Sequence, residues 1–81
     1  MPFYTYILKS LKDQKYYYGY CSDLTKRLDN HNQGKVKSTK HRRPFVLHYF
    51  ETFDVRADAI RRELFFKSID GYNFLKSQNI I

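Results

Sequence analysis

The chain has 81 residues and carries 15 Lys and Arg against 8 Asp and Glu, for a net charge of +7. A chain of this length supports one core and buries only about 60–65% of its unfolded surface, so residues 1–81 are expected to form one domain. An apolar fraction of 42% argues against global disorder, no run approaches the ~18 apolar residues of a membrane span, and the opening MPFYTYILKS lacks the pattern of a secretion signal.

Seven Phe and eight Tyr supply the bulk that so small a core needs. The lone Cys21 has no partner for an internal disulfide, which fits a reducing cytoplasm. Three His and one Cys without ligand spacing argue against a zinc cluster. The excess of positive charge favours a polyanion over a membrane surface, since no long basic amphipathic helix is present.

In chain order, residues 3–9 alternate as a strand, with Tyr4, Tyr6 and Leu8 on one face and Phe3, Thr5 and Ile7 on the other. Lys12-Asp13-Gln14 reads as a turn, and residues 15–21 (KYYYGYC) as the returning strand of a hairpin. Gly19 inside that strand marks a bulge or a close approach by another group. Ser22 or Asp23 caps a helix that runs to about Gln33 and closes at Gly34. Leu24 and Leu28 face the core, with Arg27 and His31 four apart on the neighbouring flank. The segment GKVKSTKHRRP holds five Lys or Arg plus His41 and reads as an exposed basic loop. Residues 45–53 form a third strand. Asp54 caps a second helix over residues 55–68, stopped near Gly71, and the tail YNFLKSQNII supplies a short last helix. The expected class is α+β: a three-stranded antiparallel sheet flanked by two main helices and a short C-terminal helix.

On the second helix, Val55, Ala59 and Phe66 form one apolar flank and Ile60 and Leu64 another, and Glu63 falls between them. Spacing alone leaves two readings for Glu63: a surface pair with Lys67, or a partly desolvated carboxylate aimed at a metal.

Tyr4-Thr5-Tyr6 followed, with ten residues between, by Tyr17-Tyr18-Gly19 resembles the paired motif of the GIY-YIG nucleases. Asp23-Leu24, Lys26-Arg27-Leu28, Arg62-Glu63 and Tyr72-Asn73 are similar, in order, to later motifs of that family. The resemblance covers nearly the whole chain and is nearest to short single-domain bacterial members related to the N-terminal nuclease domain of UvrC. Tyr4 and Thr5 depart from the Gly and Ile of the name, Tyr18 from the Ile of the second motif, and Tyr20 stands where repair-type relatives often carry Lys.

The resemblance implies a divalent-metal-dependent endonuclease acting on DNA, in repair or recombination; the alternative is a non-catalytic nucleic-acid-binding module on the same fold. It implies that Glu63 holds one Mg²⁺ or Mn²⁺ and that Arg27 contacts the scissile phosphate, against the plain reading of a surface arginine. Tyr17, or second Tyr6, would be the general base, with His31 assisting and Asn73 fixing the geometry; by spacing alone His31 is equally an exposed helix residue and Asn73 an N-cap of the tail. Lys35, Lys37, Lys40, His41, Arg42 and Arg43 would track the backbone of duplex or branched DNA with little sequence preference, or form a solvated charge run. Targeting would then rest on a homodimer or a partner protein.

Overall fold

The computed structural model describes residues 2–81. Three strands, β1 (Phe3–Ser10), β2 (Tyr16–Cys21) and β3 (Phe45–Phe53), form an antiparallel sheet in the order β2-β1-β3. Helix α1 (Leu24–Asn32) follows β2, and α2 (Arg56–Phe66) and α3 (Ile69–Ser77) follow β3. The α+β class expected from the sequence is the class observed.

β1 is central because it pairs with β2 on one side and β3 on the other, and its middle residues feed a core on each face. Tyr6 and Leu8 pack on one face with Phe45, Leu24, Leu28 and Leu47, beneath α1. Ile7 packs on the other face with Phe66 and Leu75 from α2 and α3. The Thr5 hydroxyl, also buried, donates to the Ala59 carbonyl at 2.7 Å and ties α2 to the sheet.

β3 serves both cores through one irregularity. Leu47 pairs with Leu8 and Tyr49 with Ile7, so His48 is the extra residue of a bulge. Phe45 and Leu47 therefore join the α1 face, and Tyr49 joins the α2–α3 face. Past the bulge, Glu51 pairs with Arg62 of α2 at 2.7 Å and accepts the Tyr49 hydroxyl at 2.5 Å. The Arg62 guanidinium also lies over the rings of Phe65, Phe66 and Phe74, at 4.9 to 5.1 Å from their centroids. One side chain thus locks α2 to β3 and α3 together.

The helix ends differ in part from the sequence expectation. Asp23 caps α1 by accepting the Lys26 N–H, and Gly34 follows with φ 77°. The cap of α2 is Val55 in extended conformation, not Asp54, and it offers no side-chain bond. α2 stops at Phe66, and Ser68 caps α3 by accepting the Gly71 N–H. Gly71 is therefore no terminator. It lies inside α3, where a Cβ would collide with the Phe65 carbonyl oxygen, so its missing side chain lets α3 pack on the end of α2. Val55 and Leu64, expected on core flanks, are exposed, because only the Ala59–Phe66 stripe reaches the sheet. The basic segment is not wholly irregular: it contains a 3-10 turn at Lys40–Arg42.

Gly71→Ala is expected to cost about 1–3 kcal/mol by forced overpacking, read as a fall in the urea midpoint and in Tm, the latter by roughly 4–8 °C per kcal/mol for a domain of this size. An unchanged midpoint would mean that α3 does not press on Phe65.

Candidate active site

β2 is an edge strand, so a groove along it can take side chains from both faces of the sheet. A cleft of about 400 Å³ lies there, lined by Phe3, Tyr6, Tyr17, Gly19, Tyr20, Cys21, Ser22, Arg27, Arg56 and Glu63. Tyr6 comes from the centre of β1, Tyr17 and Gly19 from β2, Arg27 from α1, and Arg56 and Glu63 from α2. Arg62 turns into the core while the next residue, Glu63, reaches the cleft; one step of the helix separates an anchoring cation from a candidate metal ligand.

Gly19 pairs with Tyr6 across the strands. A Cβ at Gly19 would collide with the phenol oxygen of Tyr6 and stand 2.5 Å from its Cζ. The close approach suspected at this glycine is therefore the Tyr6 ring itself.

Tyr6 is held in a hydrogen-bonded chain whose directions follow from donor and acceptor counting. The Thr39 hydroxyl donates to the Val36 carbonyl at 3.3 Å, so its oxygen is free to accept from His31 Nδ1–H at 2.8 Å. His31 Nε2 is then the acceptor for the Tyr6 hydroxyl at 3.3 Å. The Tyr6 oxygen in turn accepts Arg27 Nε–H at 3.1 Å. Burial pushes the Tyr6 phenol up to about 12, with the Arg27 hydrogen bond pulling less strongly the other way. Burial, then the Arg27 charge, pushes His31 down to about 4, which suits the neutral tautomer in the chain. His31 is fully buried, not the exposed helix residue that spacing allowed, and its ring meets that of Tyr17 edge-on at 5.0 Å. Tyr17 itself is half-buried.

Glu63 is the one carboxylate among the described residues that line the cleft. Its side chain is 15% exposed, lines the cleft and pairs with Lys67 at 3.7 Å, so the surface pairing expected from spacing is present. That pairing is longer than a hydrogen bond, and the carboxylate oxygens keep their lone pairs. A hard oxygen donor in this state suits Mg²⁺ or Mn²⁺, which take few protein ligands alongside water and phosphate. No cluster of three or more His, Cys, Asp or Glu exists among the described residues, so a fully protein-built metal cage does not fit.

Other sequence candidates lie elsewhere. Asn73 stands exposed within α3, outside the cleft lining, and Ser68 rather than Asn73 caps that helix. The basic segment does not line the cleft either. Its far end is fixed near the hairpin turn, where the Ser10 hydroxyl donates to the Arg42 carbonyl at 2.6 Å. Arg42 is already committed: it pairs with Asp13 at 2.8 Å and lies over Phe45. That pairing holds the Asp13 carboxyl down at about 2. The Arg43 Nε–H donates to the Lys40 carbonyl. Lys35, Lys37, Lys40 and His41 are exposed.

Arg56 was not singled out from the sequence, and Tyr20 was noted only as a departure from the family pattern. One local signal was available: no Asp or Glu stands three or four residues from Arg56 on either side.

Compared with known proteins, residues 2–73 match the family described as the GIY-YIG catalytic domain. A UPF0213 protein of Staphylococcus saprophyticus is 43% identical over 74 residues, which is 90% of this chain and 89% of that protein. A UPF0213 protein of Bacillus licheniformis is 41% identical over 71 residues, 86% of this chain and 72% of the other. The solution NMR structure of the UPF0213 protein BH0048 from Bacillus halodurans superposes with a TM-score of 0.56 at 36% identity, covering 96% of this chain and 85% of that one.

A buried neutral histidine leaves a pH signature. With its folded-state value near 4, against about 6.5 when unfolded, only the unfolded chain binds that proton between the two. The stabilisation from neutral His31 is complete above pH 6.5 and is lost as the pH falls toward 4. Urea unfolding at several pH values is expected to show a steeper loss across this window for the wild type than for His31→Gln. Parallel curves would place His31 in contact with solvent.

Proposed function

This chain belongs to the GIY-YIG family, and from that membership we propose that it is a divalent-metal-dependent endonuclease that hydrolyses DNA phosphodiester bonds. The observation that carries the proposal is the meeting of Tyr6, Tyr17, Arg27 and Glu63 in one cleft, with Arg27 already bonded to the Tyr6 hydroxyl.

Each residue has a task that its surroundings favour. Arg27 gives its Nε–H to Tyr6, which leaves the two terminal nitrogens of a permanently charged fork for the scissile phosphate. Tyr6, buried and pushed up to about 12, keeps its proton and sets the angle of Arg27; it is a positioning residue rather than the base. Tyr17 lies half-buried in the same cleft, and no hydrogen bond ties up its hydroxyl among the described residues. It is the tyrosine placed to take a proton from an attacking water. Glu63 would hold one Mg²⁺ or Mn²⁺. When bound, such an ion supplies Lewis acidity to the phosphate and charge stabilisation to the departing oxygen. Asn73 has no task here, because it does not reach the cleft.

The substrate in this reading is duplex or branched DNA held by its backbone, with Lys35, Lys37, Lys40 and His41 adding charge along the approach. A site this small favours structure over sequence as the recognised feature.

A nicking assay on duplex, nicked, flapped and single-stranded DNA with Mg²⁺ or Mn²⁺ tests the proposal. Cleavage is expected to stop with EDTA, to fall at least about 100-fold in Glu63→Gln, and to fall by roughly 10²–10³ in Arg27→Ala, the range for losing one group that stabilises transition-state charge. Tyr17→Phe should abolish cutting while DNA binding persists. Binding without cutting by the wild type would favour the non-catalytic module, and undiminished cutting in both Glu63→Gln and Arg27→Ala would remove this site.

A further inference from the structure

We propose that Arg56 is a second phosphate-binding group of the cleft, steered by Tyr20 and holding the backbone phosphate adjacent to the one contacted by Arg27. The inference rests on the nuclease reading and extends it from one phosphate to two.

Two arginines line the cleft, and both are held in the same way. Arg27 donates once to the Tyr6 hydroxyl, and Arg56 donates once, from a terminal nitrogen, to the Tyr20 hydroxyl at 2.9 Å. Neither has a carboxylate within ion-pair distance among the described residues, whereas Arg42, Arg61 and Arg62 all do. Each keeps several N–H donors free after its single bond to a phenol. The Arg56 guanidinium also lies over the Tyr20 ring, 5.5 Å from its centroid, which limits where the fork can swing.

The position of Arg56 adds weight. It is the first residue of α2, where the helix macrodipole is positive and a cation is locally unfavourable. Its partner in space, Tyr20, is 36 residues away and belongs to the cleft wall. Glu63 is the one negative group in that wall, and it already pairs with Lys67. Two unpaired guanidiniums facing a shared cleft call for a ligand with two anionic groups, and consecutive backbone phosphates are that ligand.

Fluorescence-anisotropy titrations of labelled duplex and flapped DNA in EDTA, across a salt series, test this without cutting. The proteins are the wild type, Arg56→Ala, Arg56→Lys, Tyr20→Phe and Arg61→Ala. Arg61 is an exposed arginine of the same helix, paired with Asp58, and its removal changes net charge equally. Arg56→Ala is expected to weaken binding about tenfold and to lower the salt slope by about one contact. Arg56→Lys should keep the slope but lose part of the affinity, and Tyr20→Phe should lose a few-fold at constant slope. Arg61→Ala should bind almost as the wild type does. Equal effects of Arg56→Ala and Arg61→Ala, or none from Arg56→Ala in a protein that melts normally, would overturn the inference and leave the nuclease reading standing. Failure of the wild type to bind DNA at low salt would bring down both.

Discussion

The hydroxyl of Tyr6 is the atom on which the rest of the cleft depends. Tyr6 is 1% exposed at the centre of the sheet, yet its hydroxyl bonds two side chains of α1. Arg27 donates to it from α1, and His31, one turn later on the same helix, accepts its hydrogen bond. The neighbouring strand must then withdraw to make room, and Gly19 is how it does so. A buried phenol whose partners were removed would be an unsatisfied polar group, at a cost of about 1–3 kcal/mol. Fold stability and the aim of Arg27 are thereby joined in one contact.

That contact extends into the basic segment. His31 holds Thr39, itself 1% exposed, so the loop bearing Lys35, Lys37 and Lys40 is pinned to the same chain of bonds that orients Tyr6. At its other end Arg42 is spent on Asp13 and on the ring of Phe45. The loop is charged on the outside and fastened at two points, which makes it a defined surface rather than a loose tail.

Much of this was legible in the residues. Alternation placed Tyr6 and Leu8 on one face and Ile7 on the other, Ser22 and Asp23 marked the start of α1, of which Asp23 is the cap, and the segment from Phe45 to Phe53 kept its boundaries. What escaped depends on distant partners. The burial of His31 needs Thr39 and Tyr6, the second 25 residues away, and spacing on one helix cannot reveal it. Gly71 looks like a stop signal until Phe65 is brought against it. Arg42 reads as one more free cation in a basic run, because Asp13 lies 29 residues earlier. Asn73 resembled a family position, but local capping by Ser68 set the course of α3 and left it facing solvent.

The extra residue in β3 has a consequence for how this chain can vary. His48 works as a half-turn in the thread: Phe45 and Leu47 before it feed one core, and Tyr49 after it feeds the other. Deleting a residue beyond the bulge, such as Phe50, would turn Glu51 to the opposite face, away from Arg62, and loosen the clasp that seats α2 without touching any cleft residue. Length in this strand is as tightly specified as composition, while additions are far better absorbed in the connection after α1.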